Sequence, residues 1–114
     1  MRLNSTVSMK RSKYGNRRVQ VGDLTFDSAK EAKRWGELQF MVKAGEIKNL
    51  QRQVRFPIVV NGVKVCSYIA DFTYEELGGV VVEDVKSEFT RKDPLFRLKS
   101  KLLKATTGID IRIT

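Results

Sequence analysis

The sequence contains no histidine and only one cysteine, Cys66, among 114 residues. The absence of histidine excludes a His-dependent nuclease, a Ser-His-Asp hydrolase and a zinc site with histidine ligands. A single cysteine excludes a disulfide framework and a cysteine zinc cluster. Because Cys66 follows Val65 in a strand-like pattern, we expect its thiol to be buried and inert.

Long apolar runs and acidic residues are also scarce. No run approaches the roughly 20 residues of a membrane-spanning helix, and the first residues lack an apolar signal region, so we expect a cytoplasmic protein without a membrane partner. The chain has 13 Asp and Glu against 22 Lys and Arg, a net charge of +9. This balance favours a polyanionic partner, most simply nucleic acid; a basic surface that only maintains solubility is the alternative.

Basic residues are concentrated at the start of the chain. We predict an N-terminal arm over residues 1–18 and one domain over residues 19–114. The arm is either a solvated, frayed terminus or a segment that becomes ordered on nucleic acid. Its candidate DNA-binding residues are Lys10, Arg11, Lys13, Arg17 and Arg18.

A helix opens the domain, after a short hairpin or strand-like lead-in over residues 19–26. Ser28 and Glu31 fit a capping box, and the helix is predicted to run to about Lys43. Glu31 precedes Trp35 by four residues, so its side chain lies on the inward side of this helix.

Three antiparallel strands follow in the pattern. Asn61-Gly62 is a strong hairpin signal between the first two strands, and Pro57 indicates that the first lies at a sheet edge or contains a bulge. Residues 46–53 are expected to form a connection. The predicted strands span residues 54–60, 63–74 and 80–86.

A second helix and a last strand complete the domain. Asp93 and Pro94 are the expected N-cap and first helical residue, and Gly108 lies at the end of the helix. The last strand, around Ile111, is predicted to pair in parallel through a right-handed crossover. The chain therefore predicts an α/β fold with a mixed sheet flanked by helices. The helix has a predicted apolar stripe of Leu95, Leu98, Leu102 and Ala105, and a candidate DNA-binding stripe of Arg97, Lys101 and Lys104.

Three charged residues interrupt the apolar hairpin formed by the second and third strands: Asp71, Asp84 and Lys86. Residues two apart in a strand share a face, so the turn length decides which side chains meet. A two-residue or a four-residue loop places all three on one face. A three-residue loop would bring Glu83 there instead.

The two favoured loops differ in what lies opposite Asp71. A two-residue loop at Gly78-Gly79 sets it opposite Lys86, and a four-residue loop over residues 76–79 sets it opposite Asp84. Opposed like charges are destabilising, and two buried aspartates beside a lysine need a cation or other compensation. We therefore predict a divalent metal site with a lysine beside it.

The chemistry of this set suits a hard cation such as Mg²⁺, which prefers oxygen ligands. Glu31, from the inward side of the first helix, is a candidate to approach the same face. The ion would polarise a phosphodiester oxygen and lower the pKa of a bound water. Lys86 either orients or deprotonates that water or stabilises charge in the transition state; the residues leave both roles open.

These residues carry a family resemblance. Ile69-Ala70-Asp71-Phe72 followed by Asp84-Val85-Lys86, with Glu31 on the preceding helix, resembles the PD-(D/E)XK nuclease superfamily, although Ala70 stands where the name has proline. The element order matches the αβββαβ, restriction-endonuclease-like core of that superfamily. Over roughly residues 13–113 the chain is similar to small phage-encoded endonucleases related to Holliday-junction resolvases. The segments that carry this second likeness are Tyr14-Gly15-Asn16, Phe26-Asp27-Ser28, Glu31-Ala32, Tyr68 to Phe72 and Val82 to Lys86.

The resemblance implies hydrolysis of DNA phosphodiesters with Mg²⁺, for which Mn²⁺ is expected to substitute. Asp71 and Asp84 match the metal-binding acids, and Lys86 matches the catalytic lysine. The resemblance also implies three further site positions: Glu31 as the helix acid, the backbone carbonyl of Val85 as a metal ligand, and Gln53 as a polar residue near the site.

The expected function is that of an endonuclease selective for branched DNA, in phage recombination or replication within a bacterial host. The alternatives are a nicking or double-strand endonuclease without junction preference and a non-catalytic DNA-binding protein. Resolvases of this type act as homodimers because two symmetric cuts need two sites. The candidates for a dimer face are Phe40 and Met41, which lie beside the apolar side of the first helix, and the large Trp35.

Overall fold

The computed structural model describes residues 17–114, which form an α/β fold with a four-stranded mixed sheet and two α-helices. The predicted α/β class is confirmed. A single-turn 3-10 helix, Thr90–Lys92, precedes the second α-helix. No helix among the described residues is long and apolar enough to cross a membrane. The elements are β1 (Val19–Val21), β2 (Leu24–Phe26), α1 (Ala29–Lys43), β3 (Lys48–Val60), β4 (Val63–Glu76), β5 (Gly79–Asp84), α2 (Pro94–Thr107) and β6 (Ile111–Ile113).

The chain divides into two compact units, residues 1–37 and 38–114, with the boundary inside α1. The described part of the first unit contains an antiparallel β1–β2 hairpin and the start of α1. Ser28 caps the helix, since its Oγ accepts the backbone N–H of Glu31 at 3.1 Å. The predicted arm lies almost entirely outside the described residues, so the boundary expected between residues 18 and 19 stays a prediction.

The sheet belongs to the second unit and has the strand order β3-β4-β5-β6. Asn61 and Gly62 join β3 to β4 with φ values of 50° and 79°, as expected for a two-residue hairpin turn. Pro57 lies in β3, at the sheet edge, opposite Ser67. Edge strands tolerate proline because only one side of the strand bonds to the sheet.

The first strand is longer than its apolar pattern predicts. β3 begins at Lys48, within the segment expected to be a connection. Its polar first half pairs with the end of β4, for example Gln51 with Thr73. Two residues there have positive φ values, Asn49 at 55° and Gln53 at 56°. These local departures from extended geometry interrupt the alternation by which a strand is identified in a sequence.

The turn between β4 and β5 begins one residue earlier than the expected Gly78-Gly79 loop and lies within the expected four-residue loop, residues 76–79. Glu76 pairs with Gly79, so the loop consists of Leu77 and Gly78. Their φ values are 51° and 81°. The turn was missed because a bulky leucine rarely adopts the left-handed region. The resulting register, which runs to Phe72 opposite Glu83, would on continuation set Asp71 opposite Asp84. That pairing is the one expected from the four-residue loop.

The second helix has the expected ends but buries a different face. Pro94 begins it, and Gly108 ends it at a φ of 79°. Its buried residues are Phe96 and Leu103, which pack on the sheet in a cluster with Ile58 and Tyr68. The predicted apolar stripe is wrong. Leu95 and Leu98 are each 54% exposed.

Two sets of apolar residues in α2 have helical spacing, and periodicity alone does not choose between them. The set that contains Phe96 is buried because its aromatic ring reaches Tyr68 on the sheet, with ring centroids 6.5 Å apart. β6 then pairs in parallel with β5, Val82 with Ile111, which confirms the predicted parallel pairing. Cys66 is half-buried beside this core rather than fully buried.

We expect Leu103→Ala to lower the free energy of unfolding by about 2–5 kcal/mol, because it opens a cavity where a side chain is 0% exposed. Leu98→Ala, on the same helix, should cost about 1 kcal/mol or less. Urea unfolding followed by circular dichroism measures both. Equal costs for the two variants would contradict the buried face described above.

Candidate functional site

Asp84, the last residue of β5, is a buried acid with two partners on one oxygen. The hydroxyl of Tyr68 donates a hydrogen bond to Asp84 Oδ2 at 2.6 Å. The ammonium Nζ of Lys86 lies 3.5 Å from the same oxygen. Burying a carboxylate is costly unless it is paired, and here a neutral donor and a cation stabilise it. Both contacts fall on Oδ2, which leaves Oδ1 outside them.

Asp71 contacts the chain one residue beyond β5. Its Oδ2 accepts the backbone N–H of Val85 at 2.8 Å. The side chain of Asp71 therefore takes the place of a backbone partner at the point where the β4–β5 ladder ends. This bond holds Asp71 beside the segment that carries Asp84.

Tyr68 lies close to both acids. Burial raises the pKa of its hydroxyl above the ordinary value of 10.0, and the charge of Asp84, the hydrogen bond to Asp84 and the charge of Asp71 raise it further. The hydroxyl therefore stays protonated and donates to Asp84 at neutral pH. Sequence reasoning missed this interaction because strict alternation puts Tyr68 and Asp71, three residues apart, on opposite faces.

Lys86 is held by contacts with its ammonium and with its backbone. Its Nζ lies 4.3 Å from the centroid of the Phe96 ring, a cation–π geometry. Its backbone N–H donates to the carbonyl of Thr114 at 3.0 Å, and the N–H of Thr114 donates to the carbonyl of Asp84 at 3.0 Å. The segment from Asp84 to Lys86 is thus fixed by the residue that follows β6.

The structure brings Asp71, Asp84 and Lys86 together at one end of the β4–β5 hairpin. Gln53 lies opposite Asp71 in the β3–β4 register, between the pairs Arg52–Phe72 and Val54–Ala70. Glu31 belongs to the first unit, where it is buried in the first turn of α1. Its place in the predicted set, like the metal-ligand role of the Val85 carbonyl, stays a prediction.

The candidate DNA-binding residues fall into three groups. Lys10, Arg11 and Lys13 lie outside the described residues. Arg17 and Arg18 are exposed, and Arg18 Nε lies 3.8 Å from a carboxylate oxygen of Asp27.

On α2, Arg97, Lys101 and Lys104 are all exposed, as the predicted stripe requires. Lys104 differs from the other two because its Nζ lies 2.7 Å from Asp110 Oδ2. Its charge is therefore partly compensated within the protein.

A second buried acid lies next to Asp84. Glu83 is 0% exposed. Its Oε1 accepts the hydroxyl of Tyr74 at 2.6 Å, and its Oε2 accepts the hydroxyl of Thr114 at 3.0 Å. Arg112 donates to the hydroxyl of Tyr74 at 3.2 Å. Both carboxylate oxygens of Glu83 are thus engaged by hydroxyl donors, which agrees with setting Glu83 apart from the metal-binding acids.

The donor set is compatible with a hard divalent cation. Among residues 17–114, no three carboxylate or cysteine side chains are grouped as metal ligands. Mg²⁺ needs only one or two carboxylates, with waters and substrate phosphate oxygens as its other ligands. Asp71 and Asp84 supply such a pair, and their carboxylate oxygens are hard ligands. The residues present therefore fit a hard cation such as Mg²⁺.

The fold and the site define a small α/β protein with two acids and a lysine at the end of a central hairpin. The chain belongs to the DUF1064 family, described as "Protein of unknown function", whose model matches residues 11–112. No curated protein matches the chain, and no solved structure matches it.

Two of the three tyrosines should make the protein sensitive to alkali. The pKa of Tyr68 is raised in the fold, and burial followed by the hydrogen bond to Glu83 raises that of Tyr74. The unfolded chain releases these protons near pH 10, whereas the folded chain keeps them. The stabilisation is therefore complete below about pH 10 and is lost as the pH rises above it.

We expect the free energy of unfolding, measured with urea, to fall steeply above about pH 10. In the folded protein, the tyrosinate absorbance of these two residues should develop only at a higher pH than in the unfolded chain. The double variant Tyr68→Phe, Tyr74→Phe should show a shallower fall. If tyrosinate absorbance were complete near pH 10 in the folded protein, the burial of these hydroxyls would be refuted.

Proposed function

We propose that this protein is a metal-dependent DNA endonuclease that hydrolyses phosphodiester bonds in branched DNA such as Holliday junctions. Its setting would be phage recombination or replication in the cytoplasm of a bacterial host. The observation that carries the proposal is the convergence of Asp71, Asp84 and Lys86 at one end of the β4–β5 hairpin. The resemblance of these residues to the PD-(D/E)XK nucleases supports the same reaction.

The ion in this proposal is Mg²⁺, with Mn²⁺ as a substitute. Asp71 and Asp84 would hold it, together with the carbonyl of Val85 and, from α1, Glu31. When bound, the ion supplies a Lewis acid that polarises a phosphodiester oxygen and lowers the pKa of a water ligand. The hydrogen bond between Asp71 and the N–H of Val85 supports this set because it keeps the first acid beside the second.

Lys86 is the residue of the site that carries positive charge. Its ammonium lies next to Asp84, where it partly neutralises the buried acid in the absence of an ion. Near a scissile phosphate the same ammonium would orient or deprotonate the attacking water, or stabilise the charge that develops in the transition state.

DNA would be held by the basic surface of the protein. A net charge of +9 on 114 residues favours association with phosphates. The N-terminal arm and the exposed Arg97 and Lys101 of α2 are the proposed contacts, and Lys104 is a weaker one because it pairs with Asp110.

The proposed active form is a homodimer, because paired cuts on a symmetric junction need two sites. Phe40, on α1, is 73% exposed and supports the expected dimer face there. An apolar ring of this size in water is favourable to bury against a second subunit.

The test is to incubate the protein with linear duplex, single-stranded and four-way-junction DNA, with Mg²⁺, with Mn²⁺ and with EDTA. We expect paired cuts in the junction with either ion and none in EDTA. Equal rates of cutting for linear and branched DNA would contradict the proposed preference for junctions. If the protein binds DNA but cuts none of these substrates, the nuclease proposal is wrong and the non-catalytic DNA-binding alternative is favoured.

Asp84→Asn should lower the cleavage rate by about 100-fold or more, because it removes a charged ligand of the ion. DNA binding should stay intact or tighten, since the variant has no negative charge beside the phosphate. Asp23→Asn, at an exposed aspartate in the β1–β2 turn, is the matched control and should cut at the rate of the unaltered protein. Weakened DNA binding by Asp84→Asn would argue against the site.

The logarithm of the DNA-binding constant falls linearly with the logarithm of the salt concentration, with a slope of roughly −0.9 for each phosphate that the protein neutralises. The double variant Arg97→Ala, Lys101→Ala should make this slope shallower by about 1.8, because two phosphates are no longer neutralised. Lys104→Ala should change the slope less, because its ammonium already pairs with Asp110 at 2.7 Å. Fluorescence anisotropy with labelled duplex DNA at several salt concentrations measures the slopes. A flat profile for the unaltered protein would contradict the role given to the basic surface.

A further inference from the structure

We infer that Tyr68 and Phe96 are positioning residues that fix the Asp84 carboxylate and the Lys86 ammonium for the proposed reaction. This inference rests on the proposed nuclease function but concerns two side chains that are not among the site residues predicted from the sequence. Each contacts one of the charged groups directly, and the two rings lie against each other with centroids 6.5 Å apart.

Tyr68 controls the orientation of Asp84. The terminal torsion of an aspartate has a broad, roughly two-fold preference, so an unrestrained carboxylate rotates between equivalent positions. Here the hydroxyl of Tyr68 lies 2.6 Å from Oδ2, and Lys86 Nζ lies 3.5 Å from the same atom. Because both contacts fall on Oδ2, Oδ1 would be the oxygen that Asp84 offers to a cation in the proposed reaction. A phenylalanine in place of Tyr68 would keep the packing and remove this restraint.

Phe96 controls the position of Lys86. A lysine has a flexible four-carbon stem, and holding its ammonium in one place is entropically costly. The ring face of Phe96, 4.3 Å from Nζ, and the carboxylate of Asp84 contact the ammonium together. Because Phe96 is buried near the start of α2, the ring itself has little freedom to move. The helix thereby fixes a group that belongs to the hairpin.

The residue next to Asp84 in β5 provides a matched control. Tyr74 donates to the buried carboxylate of Glu83 at 2.6 Å, the same distance as the bond from Tyr68 to Asp84. Tyr74→Phe therefore removes the same kind of buried hydrogen bond without touching Asp84 or Lys86. A reduction in activity seen only with Tyr68→Phe reflects positioning and not general stability.

The first experiment measures Lys86 without DNA or metal. Reductive methylation of the folded protein, quantified by peptide mass spectrometry, gives the labelling rate of Lys86 relative to Lys101 in the same sample. We expect Phe96→Leu to raise this ratio severalfold, and Phe96→Tyr, which keeps a ring face, to restore it. Tyr74→Phe should leave the ratio unchanged. An unchanged ratio in Phe96→Leu would overturn the role of Phe96.

The second experiment measures cleavage of four-way-junction DNA with Mg²⁺. We expect Tyr68→Phe to lower kcat by about 10–100-fold, the range for residues that orient metal ligands, with KM for DNA almost unchanged. Tyr74→Phe should keep kcat within about two-fold of the unaltered protein, because its hydrogen bond lies on Glu83. Equal reductions in the two variants, or no reduction in Tyr68→Phe, would overturn the role of Tyr68.

The two experiments separate failure of this inference from failure of the proposed function. If the unaltered protein cuts no DNA, the nuclease proposal and the catalytic purpose of the positioning both fall, whatever the labelling result. If it cuts DNA while the labelling and kcat values of the variants match their controls, the nuclease proposal stands and the inference about Tyr68 and Phe96 is wrong.

Discussion

The burial of two consecutive acids in a central strand is the constraint on which the rest of the site depends. Glu83 and Asp84 are 0% and 3% exposed, and each would be strongly destabilising without partners. A tyrosine from β4 donates to each of them, Tyr74 to Glu83 and Tyr68 to Asp84. The length and register of β4 are therefore tied to the charges of β5. A shift of the hairpin by one residue would leave both carboxylates without their donors.

The same constraint explains why Thr114, the residue after β6, matters to the site. Its side chain donates to Glu83, and its backbone N–H donates to the carbonyl of Asp84. Its carbonyl accepts the N–H of Lys86. On the other side, the N–H of Val85 donates to Asp71. The segment that carries the candidate chemistry thus has partners on both sides and little freedom to change register.

The backbone preferences of single residues at turns and helix ends determined how much of the fold was predictable. Asn61-Gly62, Pro94 and Gly108 are residues whose backbone preferences match the positions they occupy, and the elements they delimit were predicted correctly. Leu77 has the opposite preference, with a φ of 51° in the second turn, so neither expected loop had the observed bounds, although the four-residue loop gave the observed register. The buried face of α2 was missed for another reason. Its leucines and Phe96 share helical spacing, and only the ring of Tyr68 across the interface selects between them.

Face counting selects Asp84 over Glu83 as a candidate metal ligand, and this selection stays a prediction; the hydrogen bonds of the two acids could not be read from the sequence. Glu83 has both oxygens taken by hydroxyl donors, from Tyr74 and Thr114, so it is a structural acid that holds β4 and β6 to β5. Asp84 has its contacts on Oδ2 alone. Two adjacent buried acids therefore differ in whether both carboxylate oxygens are contacted by side chains. That difference depends on tyrosines six residues apart on the neighbouring strand. Tyr68 contacts Asp84 while Asp71, three residues further along β4, contacts the next residue, Val85, a combination that strict alternation does not predict.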